Sequence, residues 1–117
     1  MVKIIKISIS DLYKMTISIK WGLMKQFILG TAVKLTVVLE EDLPSGATVT
    51  ATIYDSRDEL VVEDAATTEV TTKVFEYIYQ SVDNDVAGKY RVIFKVVSGD
   101  YTSMEYDTFD FIDVLSD

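Results

Sequence analysis

Apolar and polar residues alternate along most of this 117-residue chain, which is the period of a β-strand. The pattern is most regular in residues 88–97, where one side carries Tyr90, Val92, Phe94 and Val96. The short segment Ser98–Asp100 follows, and its glycine suits a tight hairpin turn. Residues 88–97 and 101–112 are therefore predicted to form a long antiparallel hairpin.

The register of this hairpin is predicted from its apolar residues. A loop at 98–100 would pair Val97 with Tyr101. The pairs Phe94–Met104 and Val92–Tyr106 that follow would place apolar side chains together on one face. Beyond Asp107 the apolar residues change parity to Phe109 and Phe111. A β-bulge near Asp107–Thr108 is predicted to account for the change.

Other segments of the chain predict strands by the same alternation. They are Val2–Ser10 (an edge strand with a kink), Met15–Trp21, Val33–Glu40, Thr48–Tyr54, Leu60–Val62 and Val70–Gln80, with loops at 63–68 and 81–85. The side chains expected to face inward include Val33, Leu35, Val37, Leu39, Val49, Ala51, Ile53, Phe75, Tyr77 and Tyr79, whereas Glu76 and Gln80 are expected to face water.

About eight strands at short spacings, with no strong helix, are typical of an all-β fold. We expect an antiparallel, immunoglobulin-like β-sandwich of about 7–9 strands, and a closed barrel is the alternative. Residues 1–117 are expected to form a single domain. Residues 1–31 are a candidate N-terminal docking or edge segment.

The composition argues against catalysis, because the chain has neither histidine nor cysteine. Its serines lack the usual activating base, and a thiolate metal site cannot form. Carboxylate pairs could do acid–base work, and the candidates are Glu105 with Asp107 or Asp110 with Asp113. In an alternating strand such acids more often mark a solvent-facing side. We therefore expect no enzyme activity and no cofactor.

One loop has metal-like spacing. Residues Asp83–Gly88 resemble the opening of a calcium-binding EF-hand loop, but the twelfth position is Phe94, where a bidentate glutamate belongs. The acidic side chains are better explained as turn residues. No metal site is predicted.

Charge is distributed unevenly along the chain. Residues 1–39 carry six lysines and one acid, whereas residues 40–117 carry five basic residues and eighteen acids. The acidic body argues against nucleic acid as a partner, and no apolar run is long enough to span a membrane. The basic third contains the apolar segment Leu23–Leu29, which either connects strands over the core or forms an exposed docking patch. The residues predicted to bind a partner there are Lys20, Leu23, Met24, Lys25, Phe27, Ile28 and Leu29.

Residues Asp85–Val92 resemble the entry to the penultimate strand of immunoglobulin-like domains, in which a glycine precedes a tyrosine. In antibody domains this tyrosine lies two residues before a cysteine, and here Val92 takes that position. More broadly, residues 33–111 are similar to the small immunoglobulin-like domains of tailed-phage virion proteins, in patterning rather than in invariant motifs.

This resemblance implies a non-enzymatic structural protein located in the virion. The expected role is capsid decoration or another particle accessory function through protein–protein contacts. The expected partners are major capsid or tail proteins and copies of the same chain. A cell-surface or carbohydrate-binding β-sandwich module is the alternative function.

Overall fold

The computed structural model describes residues 2–11, 26–82 and 85–113. They form an all-β fold of nine described strands, which confirms the predicted fold class. The strands are β1 (Ile4–Asp11), β2 (Gln26–Ile28), β3 (Ala32–Leu39), β4 (Thr48–Tyr54), β5 (Leu60–Ala66), β6 (Thr68–Thr71), β7 (Val74–Gln80), β8 (Gly88–Ser98) and β9 (Tyr101–Ile112). The predicted strand at Met15–Trp21 lies outside the described residues.

The strands form two sheets. One sheet has the order β1-β3-β7-β6 and the other has the order β2-β9-β8-β4-β5. Among the described strands, β2 and β9 form a parallel pair and every other pair is antiparallel. The chain passes from the five-stranded sheet to the four-stranded sheet at Thr67, whose backbone N–H and hydroxyl both donate to the Val49 carbonyl.

The core lies between the sheets and is built mainly from one side of β1, β3, β4, β7, β8 and β9, whereas β6 is exposed along its length. The predicted inward residues of β3 and β4 are buried, and so are those of β8. On β7, Phe75 and Tyr79 are buried and Tyr77 packs against the core, whereas Gln80 is exposed. Half-buried Glu76 forms an ion pair with Lys34, at 3.6 Å. In these strands the alternation of apolar and polar residues in the sequence therefore indicates which side is buried.

The edge strand β1 contains the predicted kink. Its pairing with β3 shifts between Ile4 and Lys6, so that Ile4 is buried on one side of the shift while Ile7 and Ile9 pack against the core on the other. Ile5, at the shift itself, is exposed. One extra residue keeps both apolar sets on the inner side, as expected for a β-bulge.

The central hairpin forms as predicted, but the predicted register is wrong. Ser98 pairs with Tyr101, which leaves a two-residue turn in which Gly99 has a φ of +61°. The pairing then continues without a bulge to Gly88 and Phe111. The physical reason is that this register brings Phe109 directly opposite the buried Tyr90. Phe109 and Phe111 then face the core on the same side of the sheet as the buried residues of β8.

Two other predicted segments differ from the structure. The short strand at Leu60–Val62 continues to Ala66, so most of the predicted loop at 63–68 is strand. The predicted strand Val70–Gln80 is two strands, β6 and β7, separated by a turn at Thr72–Lys73. The turn is stabilised from outside the segment, because the Thr72 hydroxyl donates to Asp42 at 2.6 Å and the Lys73 carbonyl accepts from the Leu39 N–H.

Aromatic rings fill one end of the core. Tyr79, Tyr90, Phe109 and Phe111 lie with ring centroids 4.9–6.2 Å apart. The buried Tyr90 hydroxyl donates to the Val86 carbonyl at 2.7 Å, four residues upstream. This hydrogen bond back to the chain before the strand has the geometry of a tyrosine corner. Burial and the nearby Asp85 and Asp55 raise the pKa of Tyr90 to about 12, so the hydroxyl keeps its proton at neutral pH.

Candidate functional site

The predicted partner-binding segment is only partly described. Lys20, Leu23, Met24 and Lys25 lie outside the described residues, and partner binding there stays a prediction. Leu29 is only 7% exposed, and the Phe27 ring packs 6.2 Å from Phe109 and 6.5 Å from Phe111. Ile28 is half-buried in β2. The exposed-patch interpretation is therefore wrong for Leu29 and Phe27. These side chains cover the core, because β2 pairs with the end of β9 and connects the strands there.

The carboxylates considered for catalysis lie along β9 and at its end, where Asp110 pairs with Lys89 and Asp113 follows the strand. Glu105 is exposed and Asp107 is half-buried, and both line an open groove of about 300 Å³ between β1 and β9. The other described lining residues are Ile4, Ile5, Lys6, Ile7 and Tyr106. The Asp107 carboxylate accepts a hydrogen bond from the Thr108 N–H at 2.8 Å. The groove thus has acids beside an apolar wall at the side of the sandwich.

The loop with metal-like spacing behaves as a turn at its described end. Asp83 and Asn84 lie outside the described residues. The Asp85 carboxylate accepts hydrogen bonds from the Val82 N–H at 2.9 Å and the Tyr79 hydroxyl at 3.3 Å. Burial and the Asp85 charge raise the pKa of Tyr79 well above its ordinary value. Within the part of the chain that the structure describes, no group of three or more acidic side chains is placed to hold a metal ion.

Two buried polar side chains organise loops. Asp55 accepts hydrogen bonds from the N–H groups of Arg57 (2.9 Å) and Glu59 (3.0 Å). Burial acts to raise the pKa of Asp55, but these hydrogen bonds and the Arg57 guanidinium outweigh it and lower the pKa. Ser81 accepts from the Gly30 N–H and donates to the Thr31 carbonyl, both at 2.8 Å. Both side chains thus fix the backbone of the loops around them by hydrogen bonds.

The edge strands carry features that discourage pairing with another chain. β1 has a bulge beside the exposed Lys3 and Lys6. β5 has two register shifts, and its Asp64 has a φ of +45°. β2 and β6 contain only three and four residues. The edges are therefore poor docking sites, which leaves the sheet faces as candidate contact surfaces.

The outer face of the five-stranded sheet, here the β5–β9 face, exposes large apolar side chains. On β9, Met104 is 61% exposed and Tyr106 is 65% exposed, and on β5, Leu60 is 45% and Val61 is 41% exposed. Half-buried Ile93 pairs with Tyr106 from the neighbouring strand. Single exposed apolar residues are ordinary, but neighbouring groups of them mark contact surfaces.

Ion pairs cross the middle of the β5–β9 face. The Arg91 guanidinium lies 3.0 Å from Asp58 and 4.8 Å from the centre of the Tyr54 ring. The Lys95 ammonium lies 3.2 Å from Asp64. Cations from β8 thus meet acids from the β5 side by reaching across β4. The face thus carries exposed apolar side chains on β9 and β5, and paired opposite charges between them.

Searches against protein-family models and curated protein sequences find no match to this chain. Among the described residues, no helix has the length and apolar character needed to cross a membrane. The arguments about function therefore come from the surface of the sandwich itself.

The β5–β9 face was missed in the sequence because Met104 and Tyr106 were assigned to the inner side of β9. The signal that could have corrected this was the phase of Phe109 and Phe111. Counting back from these two buried residues in steps of two places Asp107 and Glu105 on the inner side. Met104 and Tyr106 then face outward without any bulge.

Proposed function

We propose that this chain is a non-enzymatic structural protein of a viral particle, a capsid decoration protein or other particle accessory, that acts through protein–protein contacts. The observation that carries the contact function is the β5–β9 face, where Met104, Tyr106, Leu60 and Val61 are exposed. The edge strands of the sandwich, in contrast, carry features that discourage pairing with another chain. Burying such side chains against a partner removes apolar surface from water and favours association.

We also infer that the sandwich is immunoglobulin-like. The orders β1-β3-β7-β6 and β9-β8-β4-β5 correspond to the A-B-E-D and G-F-C-C′ orders of immunoglobulin domains. The hydrogen bond from Tyr90 to Val86 supports the same assignment. The location in a virion rests on the resemblance of residues 33–111 to phage virion domains.

Immunogold microscopy tests the location. An antibody raised against this chain is applied to particles purified from the culture that produces it, and the particles are imaged in negative stain. Gold on regular positions of the particle surface is the expected result. Gold on cells, with particles unlabelled, would overturn the virion proposal.

A carbohydrate-binding module is the second candidate. It is favoured by the exposed rings of Tyr101 and Tyr106 on β9, because exposed aromatic faces can stack on sugar rings. A glycan array probed with the purified chain and with its Tyr106→Ala variant separates the two functions. Saturable binding that the variant loses would support the module, and absence of binding supports the protein-contact function.

A further inference from the structure

The charges of the β5–β9 face are arranged in two rows. The cations Arg91 and Lys95 lie on β8, and the acids Asp58 and Asp64 lie on the β5 side. The sheet order places β4 between the two rows. Neighbouring strands are about 4.8 Å apart, so Lys95 on β8 and Asp64 on β5 lie at equal distances on either side of β4. Asp58 lies in the turn that leads into β5.

We propose that the protein forms a two-fold symmetric dimer through the β5–β9 face, with the symmetry axis running along β4. A rotation about this axis lays the β8 row of one copy over the β5 side of the other. Lys95 of each copy then meets Asp64 of the second copy, and Arg91 meets Asp58. An axis along β8 would instead place Arg91 against Arg91, whereas the axis along β4 places opposite charges together.

The apolar side chains follow the same symmetry. β9 lies one strand beyond β8, so the rotation carries it just past β5 of the other copy. Tyr106, level with Thr52, thus comes to lie near Val61 of the other copy. Met104, level with Thr50, comes to lie beside Ala66 of the other copy. The side chains of Tyr106, Val61, Met104 and Ala66 are exposed in the single chain. The exposed apolar side chains of β9 and of β5 are buried in both copies, because an isologous interface uses the same surface of each copy.

The balance of charge explains why a copy of this acidic chain would meet its partner here. The net charge of −8 makes two copies repel each other at most orientations. On the β5–β9 face the cations and acids are matched, and their ion pairs within one copy are solvent-exposed. Exposed pairs contribute little to stability, so losing them within one copy costs little. The pairs formed between copies select the partner and its orientation. This inference rests on the proposed contact function, because it names a second copy as the partner of the same face, whereas the location in a particle is tested separately by immunogold labelling.

Charge reversal in trans tests the proposal by sedimentation equilibrium. Lys95→Glu and Asp64→Lys each place like charges together in a dimer of identical copies, and each is expected to raise the dimer Kd by about tenfold or more. Mixed in equal amounts, the two variants restore opposite charges at both contacts. The mixture is expected to dimerise within about threefold of the wild-type Kd.

Lys73→Glu is the matched control for Lys95→Glu, because it makes the same change in net charge at an exposed lysine in the turn between β6 and β7. It is expected to leave the dimer Kd unchanged. Circular dichroism checks that each variant is folded, and Arg91→Glu with Asp58→Lys replaces any variant that is not. Three results would each overturn the proposal: a wild-type chain that is monomeric at about 1 mM, single variants that dimerise like the wild type, or a mixture that does not recover.

Discussion

Gly88→Ala should destabilise the sandwich strongly, since Gly88 is held in a conformation and a space that admit no side chain. Its φ is +123°, and a Cβ built there would lie 2.6 Å from the Ser56 Cβ and 3.1 Å from the Ser56 Oγ. The Ser56 hydroxyl itself donates to the Ala87 carbonyl at 2.7 Å. The start of β8 and the loop after β4 therefore approach each other too closely for any residue but glycine.

The magnitude follows from three contributions. Backbone strain costs about 1–3 kcal/mol, and crowding against Ser56 costs about 1–3 kcal/mol. The lower entropy of the unfolded alanine chain returns about 0.4–1 kcal/mol. We expect a loss of about 3 kcal/mol in the free energy of unfolding, measured by urea denaturation. The corresponding fall in Tm is about 12 °C at about 4 °C per kcal/mol.

Two other glycines separate strain from crowding. Gly46 and Gly99 also have positive φ, at +84° and +61°, but a Cβ at either position meets nothing within 4 Å. Alanine there should cost the strain, about 1–2 kcal/mol, less the same entropic return of about 0.4–1 kcal/mol. In the double variant Ser56→Gly/Gly88→Ala the crowding is relieved, so the two changes should be non-additive by about 1–3 kcal/mol. A Gly88→Ala variant as stable as Gly99→Ala, with no such coupling, would refute the reasoning.

Three further predictions test the register, the tyrosine corner and the buried acid. Phe94→Ala should cost about 3–5 kcal/mol, whereas Met104→Ala on the outer side should change the free energy of unfolding by no more than about 0.5 kcal/mol; equal losses in urea denaturation would contradict the register. Tyr90→Phe should cost about 1–2 kcal/mol by the same assay, because it leaves the Val86 carbonyl without its donor; an unchanged midpoint would show that the hydrogen bond contributes nothing. Asp55→Asn should be less stable than the wild type at pH 7. The folded pKa of Asp55 is lowered from 3.8, so its stabilisation of the fold is present above pH 3.8 and is lost as pH falls through the lowered pKa. The difference in unfolding free energy between the wild type and Asp55→Asn should therefore shrink in acid. A difference that is constant with pH would contradict the assignment.

The sequence alone determined the class of fold and most of the core. Alternation identifies the buried side of a strand locally, since side chains point to opposite faces in turn. The inward residues of β3, β4 and β8 could therefore be predicted without any knowledge of neighbours. The kink in β1 was equally local, because the parity of its isoleucines changes within one strand.

What the sequence could not determine was how strands align with one another. A shift of one residue in the β8–β9 register exchanges the two sides of β9, and it moved Met104 and Tyr106 from the predicted core to the surface. The division of residues 68–80 into β6 and β7 likewise depends on contacts with Asp42 and Leu39, which are distant in sequence.

The candidate contact surface was decided only by the tertiary structure. Lys95 and Asp64 are thirty-one positions apart, and nothing in either local pattern marks them as partners. Their ammonium and carboxylate meet at 3.2 Å because β4 separates β8 from β5 in the sheet. Local patterns record which side of a strand avoids water, whereas the surface that a partner meets is assembled from several strands whose order and register depend on the whole fold.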